Sequence, residues 1–156
     1  MNPLIVCVSV SHTNTKKVAR AIAEVIDADV VEPEDVDLDT IGDYDLVGFG
    51  SGIYFMAFHS RLRQLIGSLP HVTDRRAFVF STSGSSEPPL FGYTRRLQDQ
   101  LAAKGYDLVG SFSCRGFDTW LPLRLLGGIN KGKPDGADLD RARMFARTLV
   151  RSTPPG

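Results

Sequence analysis

No glycine precedes Gly42 in this 156-residue chain, so its opening segments cannot form the GxxxxGK[ST] phosphate loop, which depends on glycines at both ends. Cysteine is scarce as well. Cys7 and Cys114 lie far apart in segments that read as strands, without CxxC or metal-ligand spacing, so buried reduced thiols are expected and no metal centre. Of the three histidines, His59 and His71 have no carboxylate or cysteine at ligand spacing and read as surface or capping residues. HExxH and GxSxG are both missing, which leaves hydrolytic chemistry unsupported. Neither sign of charge is in excess, with 18 Lys and Arg against 18 Asp and Glu and no long run of either. That balance gives no footprint for nucleic acid and none for a strongly anionic docking surface. The apolar run from Leu4 to Val10 is too short for a membrane helix and has no basic segment before it. The expectation is a cytoplasmic chain with no targeting segment and no integral membrane segment.

What is present begins with that run. Leu4 to Val10 is rich in valine and reads as a strand, and it breaks into Ser11, His12, Thr13, Asn14 and Thr15 before a helical pattern. Val18, Ile22, Val25 and Ile26 fall at i, i+4, i+7 and i+8, with Thr15 or Asn14 placed to cap the helix. The first N–H groups of a helix lack intrahelical partners and sit at the positive end of its dipole, so this hydroxyl-rich junction suits a phosphate. His12 can donate to the same anion. Lys16 and Lys17 stand in the first turn, where the dipole disfavours cations; a bound dianion would remove that penalty, and two solvated lysines are the plainer reading.

The rest of the chain reads as strands alternating with helices. Ala28 to Glu32 is a short strand closed by Pro33, as suits a sheet edge. Leu46 to Ser51 and Ala77 to Ser81 are nearly all apolar, as central parallel strands covered on both faces should be. Gly48, Gly50 and Gly52 share one face of the first of these, where missing side chains would admit a helix or a ligand. Leu62, Leu65, Ile66 and Leu69 mark a helix stopped by Pro70, and Leu97 and Leu101 one stopped by Gly105. Strict alternation from Leu108 to Cys114 puts Leu108, Phe112 and Cys114 on one side of the other edge strand. Leu139, Ala142, Ala146 and Leu149 form the stripe of a last helix. Five βα units, in a chain whose 42% apolar content can bury one core, predict a single domain over 1–151 with a frayed tail at 152–156. The fold expected is α/β, three-layered (αβα), with a doubly wound five-stranded parallel sheet in the order 2-1-3-4-5.

Ser11, Asn14, Thr15 and Ala19 match a phosphate loop of the form [ST]-x-T-G-N-T followed by a helix with alanine in its second turn, and in this the chain resembles the flavodoxin-like superfamily. His12 and Thr13 depart from that form, which has threonine and glycine there. The resemblance spans the element order of essentially the whole chain, while matching residues are confined to the loops. It implies FMN as cofactor, with phosphate at Ser11 to Thr15. The isoalloxazine ring and its N5 would lie near Ser51, Gly52, Ile53, Tyr54 and Phe55, and the pyrimidine edge near Ser81, Thr82, Ser83 and Gly84. Gly52 would be the peptide whose carbonyl turns toward N5. Phe117 and Asp118, after the fifth parallel strand, fall on the ligand side, in a long segment from Arg115 to Gly136 that reads as a mini-core, a lid or a partner surface. Tyr54 and Phe55 have a second reading as caps of the core, and the serine run as a solvated loop. Three functions stay open: an FMN electron carrier serving a redox partner protein, a flavin enzyme acting on a small quinone-like substrate or a porphyrinogen, and a flavin-free interaction domain.

Overall fold

Strand β1 (Pro3–Val8) is buried along its whole length, its alternate side chains feeding two separate cores. The structure, a computed structural model, describes residues 1–8, 10, 14–83, 92–115 and 135–151. Helix α1 (Asn14–Ile26) leads to the three-residue strand β2 (Asp29–Val31), and β3 (Leu46–Tyr54) turns back into β4 (Ala57–Phe58). Helix α2 (Ser60–Ser68), β5 (Arg75–Ser83), α3 (Tyr93–Ala103), β6 (Tyr106–Arg115) and α4 (Gly136–Arg151) follow. Five strands pair in parallel in the order β2-β1-β3-β5-β6, which is the 2-1-3-4-5 order expected once β4, paired antiparallel to β3 off this path, is set aside.

The pleat sorts side chains to the two faces. Leu4, Val6, Val47, Phe49 and Val79 meet Leu62, Ile66, Leu97 and Leu101 of α2 and α3 on one face. Ile5, Cys7, Phe78 and Phe80 meet Val18, Ile22, Ala142 and Ala146 of α1 and α4 on the other. Gly48 and Gly50 belong to this second face, and here the sequence expectation needs correcting. The space above them is taken neither by a helix nor by a ligand but by their direct partners on β5: a Cβ at Gly48 would run into the ring of Phe78, and one at Gly50 into the ring of Phe80. Two phenyl rings lie across two bare backbones, which lets large side chains pack in a row on one strand without overfilling the layer.

Two further expectations change. The β2–β3 connection carries only two 3₁₀ turns, Pro33–Asp35 and Ile41–Asp43, in place of a fifth helix, because Pro33, Gly42 and closely spaced acidic residues leave no stretch of helical periodicity. In β6 the register against β5 slips, with Ala77 opposite Leu108 and Phe78 opposite Gly110. This bulge breaks strict alternation, so Leu108 packs against the first core while Val109, Phe112 and Cys114 join the second.

The helix ends have local causes. At α4, Asp135 accepts from the Asp138 N–H at 2.9 Å and Asp138 returns the favour to the Asp135 N–H at 3.1 Å, a reciprocal cap that accounts for the buried Asp138 carboxylate. Gly105 closes α3 at φ +98°, against the Val72 carbonyl, where no Cβ would fit. Helix α1 begins at Asn14, so Asn14 and Thr15 stand inside its first turn instead of capping it.

Charge is balanced in sum and not in place. Residues 21–60 hold ten Asp and Glu and no Lys or Arg. They cover the end of α1, the edge strand β2 and the 3₁₀ turns. Helices α3 and α4 carry Arg95, Arg96, Arg141, Arg143, Arg147 and Arg151 against Asp99, Asp138 and Asp140, and Arg143 reaches Glu24 of α1 at 3.5 Å.

Candidate functional site

Parallel strands that carry helices on both faces leave a crevice beyond their carboxyl ends, next to the point where the strand order reverses, here between β1 and β3. Polar side chains are expensive to bury, so where they collect is informative. Among the described residues the buried polar and charged side chains are Asn14, Thr15, Ser51, Ser81, Thr82 and Asp138. Asp138 caps α4. The other five all lie at the crevice end, on the first turn of α1 and the carboxyl ends of β3 and β5.

Two of them form a pair that reading the loops singly did not anticipate. Thr15 Oγ1 and Thr82 Oγ1 are 2.8 Å apart, tying α1 to β5 across the intervening β3. Lys16 is half-buried and Lys17 exposed beside them, and no acidic residue stands in that first turn. Donors and positive charge are therefore gathered at the end of α1 that favours an anion.

Ser51 organises the second loop. Its hydroxyl donates to the Gly52 carbonyl at 2.7 Å and accepts from the His59 N–H at 3.0 Å. Gly52 itself lies in β3 opposite Thr82 and is buried. Left-handed backbone follows at Phe55, φ 50°, and Met56, φ 60°. With Ile53 opposite Phe58 and Tyr54 opposite Ala57, these two form the centre of a two-residue hairpin, a turn that normally uses Asn-Gly. The missing Asn-Gly signature is why the sequence gives no sign of the hairpin. Ile53 packs against the first core, whereas Phe55 at the tip is fully exposed, which excludes the core-cap reading for it.

Tyr54 folds back instead of reaching out. A Cβ at Gly52 would stand 2.9 Å from its Oη, and its ring meets His59 edge-on at 5.4 Å. Burial, with the Cys7 thiol adding to it, pushes the Tyr54 phenol up from its ordinary range. His59 caps α2, its Nδ1 accepting from the Arg61 N–H at 3.1 Å, so the capping alternative holds for it; His71 is exposed. Burial and then Arg61 hold the His59 imidazole below its usual pKa. Arg61 also clasps Glu34, through Nε at 2.6 Å and a second short contact, and Glu32 at 3.2 Å, anchoring α2 to the β2 edge.

Ser81 and Thr82 end β5 as buried residues and Ser83 is half-buried. Ser11, His12, Thr13, Gly84, Phe117 and Asp118 lie outside the described residues, as does most of the segment from Arg115 to Gly136. Cys7 and Cys114 are buried and form no disulfide, on strands separated by β3 and β5, and burial pushes the Cys7 thiol up to about 12, which makes it inert. No His, Cys, Asp and Glu grouping fit to hold a metal exists among the described residues. Under the β2–β3 connection a cavity of about 90 Å³, lined by Leu4, Val31, Val36 and Tyr44 among others, has room for a few waters only. No helix among the described residues is long and apolar enough to cross a membrane.

Five parallel strands whose order reverses between β1 and β3, with a hydroxyl-lined crevice beyond that point, define a flavodoxin-like α/β protein. The family model for the flavodoxin domain matches residues 5–114, and the chain belongs to that family. A protein of Methanocaldococcus jannaschii named as uncharacterized protein MJ0298 is 37% identical over 153 residues, 97% of this chain and 100% of the relative. Among solved structures, oxidised flavodoxin 1 from Bacillus cereus superposes with a TM-score of 0.73 at 17% identity, over 98% of this chain and 100% of its own. The Fusobacterium nucleatum flavodoxin bound to flavin mononucleotide gives 0.67 at 12% identity, over 99% and 100%.

Proposed function

We propose that the chain binds FMN at the carboxyl end of its sheet and passes electrons through it to a redox partner. The observation that carries the reading is the gathering of Asn14, Thr15, Ser51, Ser81 and Thr82, buried donors and acceptors, at one end of the sheet beside the amino terminus of α1. Their chemistry fits the group: amide and hydroxyl donors with Lys16 and Lys17 for a phosphate, and hydroxyls for a polar ring edge. Ser11, His12, Thr13, Asn14 and Thr15 would hold the phosphate. Gly52, Tyr54 and Phe55 would flank the ring, Ser81 to Gly84 its pyrimidine edge, and Phe117 and Asp118 the remaining side. Bound FMN would supply one- or two-electron transfer at a fixed position. The chain's own contribution is to bind it, orient it and exclude water from one of its faces. The fully exposed Phe55 supports this reading, since an aromatic ring held clear of the core on a strained turn has a face to offer a ligand.

Fluorescence titration of the full chain tests the proposal. FMN is expected to bind with quenching and more tightly than riboflavin, and Thr15→Ala to weaken FMN more than riboflavin because only FMN carries the phosphate. Failure of the wild-type chain to bind either flavin overturns the reading. Turnover with NAD(P)H and a quinone would move it from carrier to enzyme.

A further inference from the structure

Thr15 and Thr82 are 67 positions apart, yet their hydroxyl oxygens stand 2.8 Å from each other, with both residues buried. Thr82 lies between Gly52 of β3 and Cys114 of β6, so the bond joins the first helix to a strand two places away from β1. At that level of β3 the residue is Gly52, which has no side chain of its own. Each hydroxyl owns one proton and two lone pairs. The pair consumes one proton, and the acceptor of the two is left with its own proton to place.

The direction of the bond is what matters to an anion. If Thr15 donated to Thr82, it would present only lone pairs to the amino terminus of α1, and these repel a phosphate. If Thr82 donates, the Thr15 proton is free to point to where the unpaired N–H groups of the first turn already point. We propose that Thr82 is a positioning residue for the phosphate: it donates to Thr15 Oγ1 and so directs the Thr15 proton to the anion. The inference rests on the FMN reading, and it gives Thr82 a role at the phosphate in place of the ring edge. Linked hydroxyls polarise one another, so the bond from Thr15 to the anion is strengthened by the one behind it.

The test compares wild type, Thr82→Val and Thr82→Ser by titration with FMN and with riboflavin. Valine keeps the branched shape and suits a strand, whereas serine keeps the hydroxyl. Thr82→Val is expected to reduce the preference for FMN over riboflavin about three- to tenfold, the range of one hydrogen bond, and Thr82→Ser to retain the preference. Equal loss for both flavins, an unchanged preference in Thr82→Val, or a serine variant that behaves like valine overturns the proposal. A second measurement needs no variant. Titration of the full chain with inorganic phosphate, followed by NMR, should shift the Thr15 and Thr82 signals together. A response at Thr15 alone, or at neither, overturns it. If the wild-type chain binds phosphate in this manner and neither flavin, the FMN reading falls while the role of Thr82 stands.

Discussion

Gly50 and Phe80 show how one atom can decide a layer. A methyl at position 50 has no free space, because the ring of Phe80 lies directly across the backbone. Gly50→Ala should therefore cost about 1–3 kcal/mol in urea or thermal unfolding, the usual range for overpacking a close-fitted core. Shortening the ring should recover part of that loss: Phe80→Leu in the Gly50→Ala background is expected to cost less than the two changes summed, with a coupling of at least about 0.5 kcal/mol. Strict additivity would show that the ring and the glycine are independent. Alternation alone revealed that Gly48, Gly50 and Gly52 share a face, but it could not say what fills it, because the filler comes from a strand some thirty residues away in sequence. The same limit applies to Thr15 and Thr82. Each stood among the candidate residues of its own loop, while their contact depends on strand order and helix placement together.

The hairpin and α2 act as one element, joined by His59, whose N–H is held by Ser51 and whose Nδ1 caps the helix. Only the neutral imidazole can accept at Nδ1, and burial with Arg61 nearby lowers the folded pKa beneath the ordinary histidine value of 6.5. The folded state thus binds fewer protons than the unfolded one in this range. The stability His59 contributes is complete above pH 6.5 and is lost as the pH falls through the lowered folded value. Unfolding midpoints measured from pH 8 to 5 should fall more steeply for wild type than for His59→Asn, which caps without titrating in that window. Parallel curves would remove His59 as the source. Arg61 holds the Glu34 carboxyl down to about 2, so that ion pair stays charged across the interval and adds no slope. At this scale the long helices and apolar strands were legible because their periodicities are strong. The hairpin was hidden, since Phe55 and Met56 are the wrong residues for the turn they make. The bulge in β6 was hidden too, because one extra residue leaves an alternating pattern looking intact.

Across the whole molecule, strand order was legible from the two weakly apolar edge strands and the position of the hydroxyl-rich loop. The charge balance was legible only as a sum. An equal count of 18 and 18 conceals an acidic stretch at the β2 edge and a net basic remainder of the chain. At pH 7 the chain should bind both an anion and a cation exchanger at about 0.01 M salt, and leave both near 0.15 M, where the screening length shrinks to about 8 Å. Passage through both columns at low salt would mean that the two regions neutralise each other locally. A neutral body with separated charges is subject to a peculiar mechanics. In the field of a distant charged surface it feels little net pull but a definite torque, so it rotates before it approaches. In this molecule the acidic stretch sits at the β2 edge, so the torque it sets up would act along the sheet, across the line in which the strands run. The crevice at the strand ends would be turned to one side by every such encounter, and the selection made at long range would be of angle, not of distance.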